Sequence, residues 1–185
     1  MTLSKRVLLA VGGGIAAYKT ATLCSRLIQA GHDVRPMMSK SATEFVGAAT
    51  LAALSGNAVA TEMFEHGRYP LGTHIEVPKN VDLMIVAPAT ANLLAKFALG
   101  LADCVVSTSF LQCSAPVLLA PAMSDVMWQK PSVQRNVELL KKDGHRFVGP
   151  ESGWLSCREK GDGRMSEPEA ILAVVEEILS ESDRR

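Results

Sequence analysis

Lys5-Arg-Val-Leu-Leu-Ala-Val-Gly-Gly-Gly-Ile-Ala-Ala-Tyr-Lys19 is the stretch that decides the fold. The apolar run over residues 5–11 reads as a buried strand, and the glycine triplet as a turn. Residues 15–30 then read as a helix, with Ala17, Ala21, Leu23, Leu27 and Ile28 at apolar positions and Gly31 as the stop. A strand that feeds a helix through a Gly-rich turn is the opening unit of a parallel α/β sheet. It also sets backbone N–H groups at a helix N-terminus, where a phosphate can be held. A basic start before an apolar run occurs in signal peptides too. The glycine triplet and the uninterrupted helix pattern behind it favour a first buried strand.

The same alternation continues outward. Residues 33–39 read as a second strand, although Pro36 is unfavourable inside one. An Ala/Leu-rich helix pattern covers 43–54 and stops at Gly56, and residues 57–80 are irregular. Asp82-Leu-Met-Ile-Val-Ala87 is an unbroken apolar run closed by Pro88, suited to a central parallel strand. Helix patterns follow at 89–99 and 101–111, a strand at 116–120, a helix from Pro131 to Gly144 and a strand at 145–148. In the last helix Ser166 and Glu169 read as a capping box, and Ile171, Val174, Val175, Ile178 and Leu179 trace one face. Strands apolar on both faces, alternating with helices, give an α/β class: a three-layer, Rossmann-like, doubly wound parallel sheet in a single domain over residues 1–182. Residues 150–165 carry glycines, charges and Cys157 without a regular pattern, and are expected to form a loop that closes as a lid. Residues 183–185 are expected to fray.

Composition excludes several function classes. Nineteen basic residues balance 19 acidic ones, which removes the footprint of a nucleic-acid binder and leaves no polybasic membrane patch. Apolar runs break well short of the roughly 20 residues that a membrane span needs. The four cysteines (Cys24, Cys104, Cys113, Cys157) show neither a metal-type CxxC pair nor disulfide-scaffold density, so a reducing cytoplasm is expected and no metal.

The cofactor can be argued from strand ends. A dinucleotide site wants an acidic residue at the end of the second strand, for the ribose hydroxyls. Here that end reads Met37-Met-Ser-Lys-Ser41, hydroxyls and an ammonium that suit a phosphate, which favours FMN over NAD. Ala87-Pro-Ala-Thr-Ala-Asn92 puts small and polar residues where such sheets place ligands. Capping of the next helix by Thr90 or Asn92 explains the same residues, and a tight corner explains the glycines.

Six stretches, in order and spanning nearly the whole chain, carry a resemblance: Gly13-Gly-Ile-Ala-Ala-Tyr-Lys19, Thr73-His-Ile75, Ala87-Pro-Ala-Thr-Ala-Asn-Leu-Leu-Ala-Lys96, Gly100-Leu-Ala-Asp103, Pro121-Ala-Met-Ser-Asp-Val-Met-Trp128 and Leu155-Ser-Cys-Arg-Glu-Lys-Gly-Asp-Gly-Arg-Met165. Together they resemble the homo-oligomeric flavin-containing cysteine decarboxylases, and within them the branch acting on phosphopantothenoylcysteine in coenzyme A biosynthesis. The resemblance implies His74 and Cys157 as catalytic residues, His74 rather than His32, His66 or His145. It implies FMN held by Gly13, Gly14, Ile15, Ser39, Ser41, Ala87, Thr90 and Ser107, with Asn92 placed there by position, and substrate held by Ser124, Met127, Arg158, Arg164 and Met165. It implies a homotrimer or dodecamer with FMN between subunits. Two positions depart from the family pattern: Ser124 stands where an Asn is usual, and Arg158 where a Gly follows the cysteine. Arg158 is a candidate to bind the substrate carboxylate in place of that Asn.

The implied chemistry is thiol oxidation to a thioaldehyde, loss of carbon dioxide, and reduction of the resulting enethiol with a proton from Cys157. Arg158, Lys160 and Arg164 surround that thiol in sequence, a setting that favours reactivity. The other three cysteines sit in apolar patterns and read as small core residues. Alternatives within the same scaffold are a peptidyl-cysteine decarboxylase, a prenyl-flavin synthase, a pterin or other flavin-dependent reductase, and a flavin-binding regulatory subunit without catalysis.

Overall fold

The computed structural model describes residues 4–65 and 67–182; the expected frayed tail at 183–185, and His66, lie outside the described residues. Five strands form one parallel sheet in the order β2-β1-β3-β4-β5: β1 Arg6–Val11, β2 Asp33–Met38, β3 Leu83–Ala89, β4 Val117–Pro121 and β5 Arg146–Phe147. The order reverses between β1 and β3, which is the switch point at which such sheets open a crevice. β2 is an edge strand, which reconciles Pro36 with a strand assignment.

Helices cover both faces. Helices α1 (Ala17–Gln29), α2 (Ala48–Ser55) and α8 (Pro168–Ser182) pack on Val7, Leu9, Val11, Ile85 and Leu118. Helices α4 (Ala91–Leu99), α5 (Val105–Gln112) and α7 (Pro131–Lys142) pack on Leu8, Ala10, Met84, Val86 and Leu119. Consecutive strand residues thus alternate between two cores, and both sets are apolar because both faces are covered. Short helices α3 (Thr73–Glu76) and α6 (Asp125–Trp128) sit in the connections.

Several expectations need correction. The helix pattern from 43 starts late, because Lys40–Glu44 is a tight 3₁₀ turn and α2 begins only at Ala48. The irregular stretch 57–80 contains α3. Pro88 does not close β3; the strand runs on to Ala89 through a register shift, with the Ala87–Pro88 bond cis. Ser166 does not head α8, whose first residue is Pro168, at the position where a missing N–H costs nothing. Residues 150–165 are not a loop. They fold as an antiparallel hairpin of β6 (Glu151–Trp154) and β7 (Lys160–Arg164), separate from the main sheet.

The switch point is held by backbone contact. Gly12 donates its N–H to the Pro88 carbonyl at 3.2 Å, and the Thr20 hydroxyl donates to the Ala87 carbonyl at 2.7 Å. A methyl group at Gly12 would come within 2.3 Å of the Pro88 oxygen and 2.9 Å of a Leu93 methyl. Neither backbone can retreat without breaking the sheet, so Gly12→Ala should cost about 1–3 kcal/mol of overpacking strain, read from urea unfolding. A change below about 0.5 kcal/mol would mean that the two strand ends are not locked together.

Candidate functional site

A cleft of about 680 Å³ opens at the carboxyl ends of β1, β3 and β4. One wall is the turn Gly13, Gly14, Ile15 and Ala16 leading into α1. These residues precede the first helical turn, and the N–H groups of Ala17, Tyr18 and Lys19 fold back onto the Gly14, Ile15 and Ala16 carbonyls at 2.9, 3.3 and 3.0 Å. A second wall is Thr90, Ala91 and Asn92 after β3; a third is Ala122, Met123, Ser124 and Met127 after β4. The hairpin closes the fourth side with Trp154, Leu155, Ser156, Cys157, Gly163, Arg164 and Met165. A smaller cavity of about 330 Å³ shares Gly13, Ser41, Thr90 and Asn92 with the cleft and adds Ser39, Lys40, Glu44, Lys96 and Cys104.

The glycines do different jobs. A methyl at Gly13 would lie 2.2 Å from the Ser41 hydroxyl oxygen, so this glycine lets Ser41 press against the turn. At Gly14 a methyl would meet only a Thr90 methyl, at 3.6 Å, and that position opens onto the cleft. Ser39 and Ser41 hydroxyl oxygens are 3.3 Å apart. Thr90 heads α4 and accepts the Leu93 N–H at 3.3 Å, so the capping explanation holds for it. Its hydroxyl hydrogen remains free for a ligand.

The cleft floor is charged. Lys19, only 8% exposed, donates to the Met165 carbonyl at 3.0 Å and to Glu167 at 2.9 Å. Glu167 also pairs with Arg164, whose chain lies over Gly153. The Lys19 hydrogen bond, aided by the charge of Arg164, holds the Glu167 carboxyl below the usual carboxylate range. Arg164 is therefore committed to Glu167, while its Nε is buried without a partner.

Not every expected residue reaches the cleft. Gly13, Gly14, Ile15, Ser41, Thr90, Ser124, Met127, Cys157, Arg164 and Met165 line it, and Asn92 as well. Ser39 lines only the smaller cavity. Ala87 is fully buried with its carbonyl taken by Thr20, and Ser107 is fully buried in a capping box with Cys104 at the head of α5. Arg158 lies outside the lining, in a turn at φ 67°, a left-handed conformation that a glycine adopts more easily. His74 is outside it too. It sits in α3 with its ring against Gly72 and its Nδ1 buried without a partner. Sequence reading passed over Tyr18, Lys19, Trp154 and Glu167, all of which line the cleft.

The cysteines separate by environment. Cys157 is exposed at the hairpin turn. Burial pushes the Cys24 thiol up to about 11, and raises that of Cys113. Cys104 is not a helix-interior residue but the α5 cap. Among the described residues there is no cluster of His, Cys, Asp and Glu fit for a metal, and no helix is long and apolar enough to cross a membrane.

Fold and cleft together define a ligand-binding α/β protein of the doubly wound type, open at its switch point. The chain belongs to the Flavoprotein family, whose model matches residues 1–180. It is 43% identical over 178 residues to the coenzyme A biosynthesis bifunctional protein CoaBC of Bacillus subtilis, covering 96% of this chain and 44% of that protein. It is likewise 41% identical over 183 residues to CoaBC of Mycolicibacterium smegmatis, covering 99% of this chain and 44% of the relative. The chain thus spans less than half the length of these relatives. Among solved structures it resembles a PPC decarboxylase cysteine-to-serine mutant complexed with pantothenoylaminoethenethiol, with TM-score 0.84, 28% identity and coverage of 94% and 97% of the two chains. The FMN-dependent cysteine decarboxylase SpaF matches with TM-score 0.83, 29% identity and coverage of 97% of both chains.

Glu167 supplies a pH test of the floor. Its folded-state pKa is depressed, so its stabilisation is present above the ordinary glutamate range and is lost as pH falls through the lower, folded value. Nearly half of its side chain is in water, so solvent screens the pair. Glu167→Gln should lower Tm by no more than about 3 °C at pH 7. The difference should shrink in acid, and a difference that grows as pH drops would contradict the assigned linkage.

Proposed function

We propose that this chain is an FMN-dependent decarboxylase that converts phosphopantothenoylcysteine to phosphopantetheine and carbon dioxide. One observation carries this reading: the hairpin sets the Cys157 thiol on the same cleft as the Gly14 turn, Thr90, Asn92 and Ser124. The names of the CoaBC relatives and of the decarboxylase structures support it.

The residues present fit the cofactor. The open face of Gly14 and the hydroxyls of Ser41, Ser39 and Thr90 make a set suited to a phosphate and polyol chain. When bound, FMN would supply a reversible two-electron store, which would let the thiol-bearing carbon stand at the C=S level, β to the carboxylate, while carbon dioxide leaves. Ser124 stands at the head of α6, and no cap bond engages its hydroxyl, which is free to donate to the substrate carboxylate. Met127, Trp154 and Leu155 supply the apolar cover. Cys157 gives its proton to the enethiol carbon and, being exposed, regains one from water. Arg158 stands off the cleft and is assigned no substrate contact. His74 assists loss of the carboxylate. It cannot do so within one chain as folded, so a neighbouring copy brings it, in a homotrimer or a larger assembly. The cytoplasm is the compartment this reading implies. The thiol-bearing hairpin speaks against relatives that stop at the enethiol, and retention of both His74 and Cys157 against a subunit without catalysis.

The purified protein should bind FMN, show its absorption bands and release carbon dioxide from phosphopantothenoylcysteine. A chain that takes up no FMN, or releases no carbon dioxide when loaded, would overturn the proposal. Cys157→Ser should still release carbon dioxide, with formation of the reduced thiol falling about 100-fold or more, as expected for loss of a general acid. His74→Asn should retain FMN and lose decarboxylation by a similar factor, about 100-fold. Full turnover by that variant would remove His74 from the mechanism.

A further inference from the structure

The two strands of the hairpin are held unequally. β7 is bonded outward to the segment that follows β4: Met123 donates its N–H to the Gly163 carbonyl at 3.0 Å, and Asp162 donates its N–H to Asp125 Oδ1 at 3.1 Å. Its glycines make this approach possible. A methyl at Gly161 would lie 2.7 Å from Asp125 Cβ, and one at Gly163 2.4 Å from the Met123 oxygen. β6 pairs with β7 and ends in Trp154, which is 66% exposed. The turn between them is closed by its own backbone, through Leu155 N–H to the Glu159 carbonyl at 2.9 Å and Arg158 N–H to the Leu155 carbonyl at 3.0 Å. The reach of Cys157 over the cleft is therefore set through β7.

Asp125 is built for that task. Gln129, one helical turn on, donates Nε2 to both carboxylate oxygens at 2.9 and 3.0 Å, which fixes the carboxylate toward the Asp162 N–H. A carboxylate accepting a backbone N–H is among the stronger hydrogen bonds available. Asp125 also directly follows Ser124, so one short helix presents a hydroxyl to the cleft and a carboxylate to the hairpin.

We infer that Asp125 is a positioning residue: its carboxylate anchors the β7 arm and thereby sets the Cys157 thiol over the cleft. The role assigned to Cys157 rests on the function proposed above; the anchoring of the arm does not. Asp125→Ala removes the anchor, and Asp125→Asn keeps one oxygen acceptor. Two quantities should be read from each purified variant: amide hydrogen exchange across Gly161–Arg164, and, with phosphopantothenoylcysteine, carbon dioxide released against reduced thiol formed. In Asp125→Ala exchange should rise about tenfold, as for loss of a hydrogen bond to a charged group. Carbon dioxide release should persist while the ratio of reduced thiol to enethiol falls, and Asp125→Asn should restore most of both. Unchanged exchange in Asp125→Ala overturns the anchor. Raised exchange with an unchanged product ratio, in a protein whose Cys157→Ser variant does shift that ratio, overturns the link to Cys157. If Cys157→Ser leaves the ratio unaltered, the proposed role of Cys157 has failed, and exchange alone upholds or overturns the anchoring of β7.

Discussion

The structure depends on one contact between two backbones, where the end of β1 meets the end of β3. The Gly12 N–H to Pro88 carbonyl bond ties the strand ends where the sheet reverses order. Pro88 has no N–H to give the ladder, and the register slips between Val86 and Ala89, beside the buried carbonyl of Ala87. The Thr20 hydroxyl takes that carbonyl from α1. A buried carbonyl left alone would cost about 1–3 kcal/mol, enough to make Thr20 structural although it lies in the opening helix. The close approach leaves no room for a side chain at Gly12 or Gly13. Room appears at Gly14, and there the cleft begins.

The fourth side of the cleft is held differently. β6 and β7 contribute few apolar side chains, and a two-stranded hairpin alone is marginal in water. Ion pairs do not settle its position, since exposed pairs contribute about 0–1 kcal/mol. Arg164 and Glu167 are both substantially in water, and only Lys19 of that network is buried. What fixes β7 is steric and directional: glycines that sit flush on Met123 and Asp125, plus two backbone N–H bonds with defined acceptors. The Lys19 bond to the Met165 carbonyl then secures the arm where it enters α8.

This difference explains what could be read from the sequence. The parallel strands were legible because burial on both faces demands unbroken apolar runs, and Val7–Val11 and Leu83–Ala87 have them. The hairpin was read as a loop because Glu151-Ser-Gly-Trp154 and Lys160-Gly-Asp-Gly-Arg164 lack strand composition; their stability comes from tertiary contacts that no local pattern records. The start of α8 was misplaced because a serine–glutamate spacing outweighed Pro168, the better signal. Cys104 as a helix cap was missed because cysteine is not a favoured cap, and Ser107 was drawn toward the cofactor when its hydroxyl serves that cap. Most of the cleft was legible from motifs at strand ends. Lys19 and Glu167 were not, since their meeting depends on how α8 lies against α1.

On the proposed reading the chemistry is divided between copies of the chain for a physical reason. Decarboxylation through a charge-delocalised intermediate gains from a site that excludes water, because fixed dipoles act more strongly there. In one chain the cleft rim does the opposite: Ile15, Tyr18, Met127 and Trp154 hold large apolar surfaces in water. Covering them gains about 25 cal/mol for each Å² removed from solvent, so the same event that dries the cleft stabilises the assembly. His74 sits on α3, away from the cleft of its own chain, with a ring nitrogen buried and unpartnered. A neighbouring copy that covers the rim also supplies the missing imidazole. Association, water exclusion and completion of the catalytic set then become one step, and a monomer, however well folded, retains Cys157 with nothing to protonate.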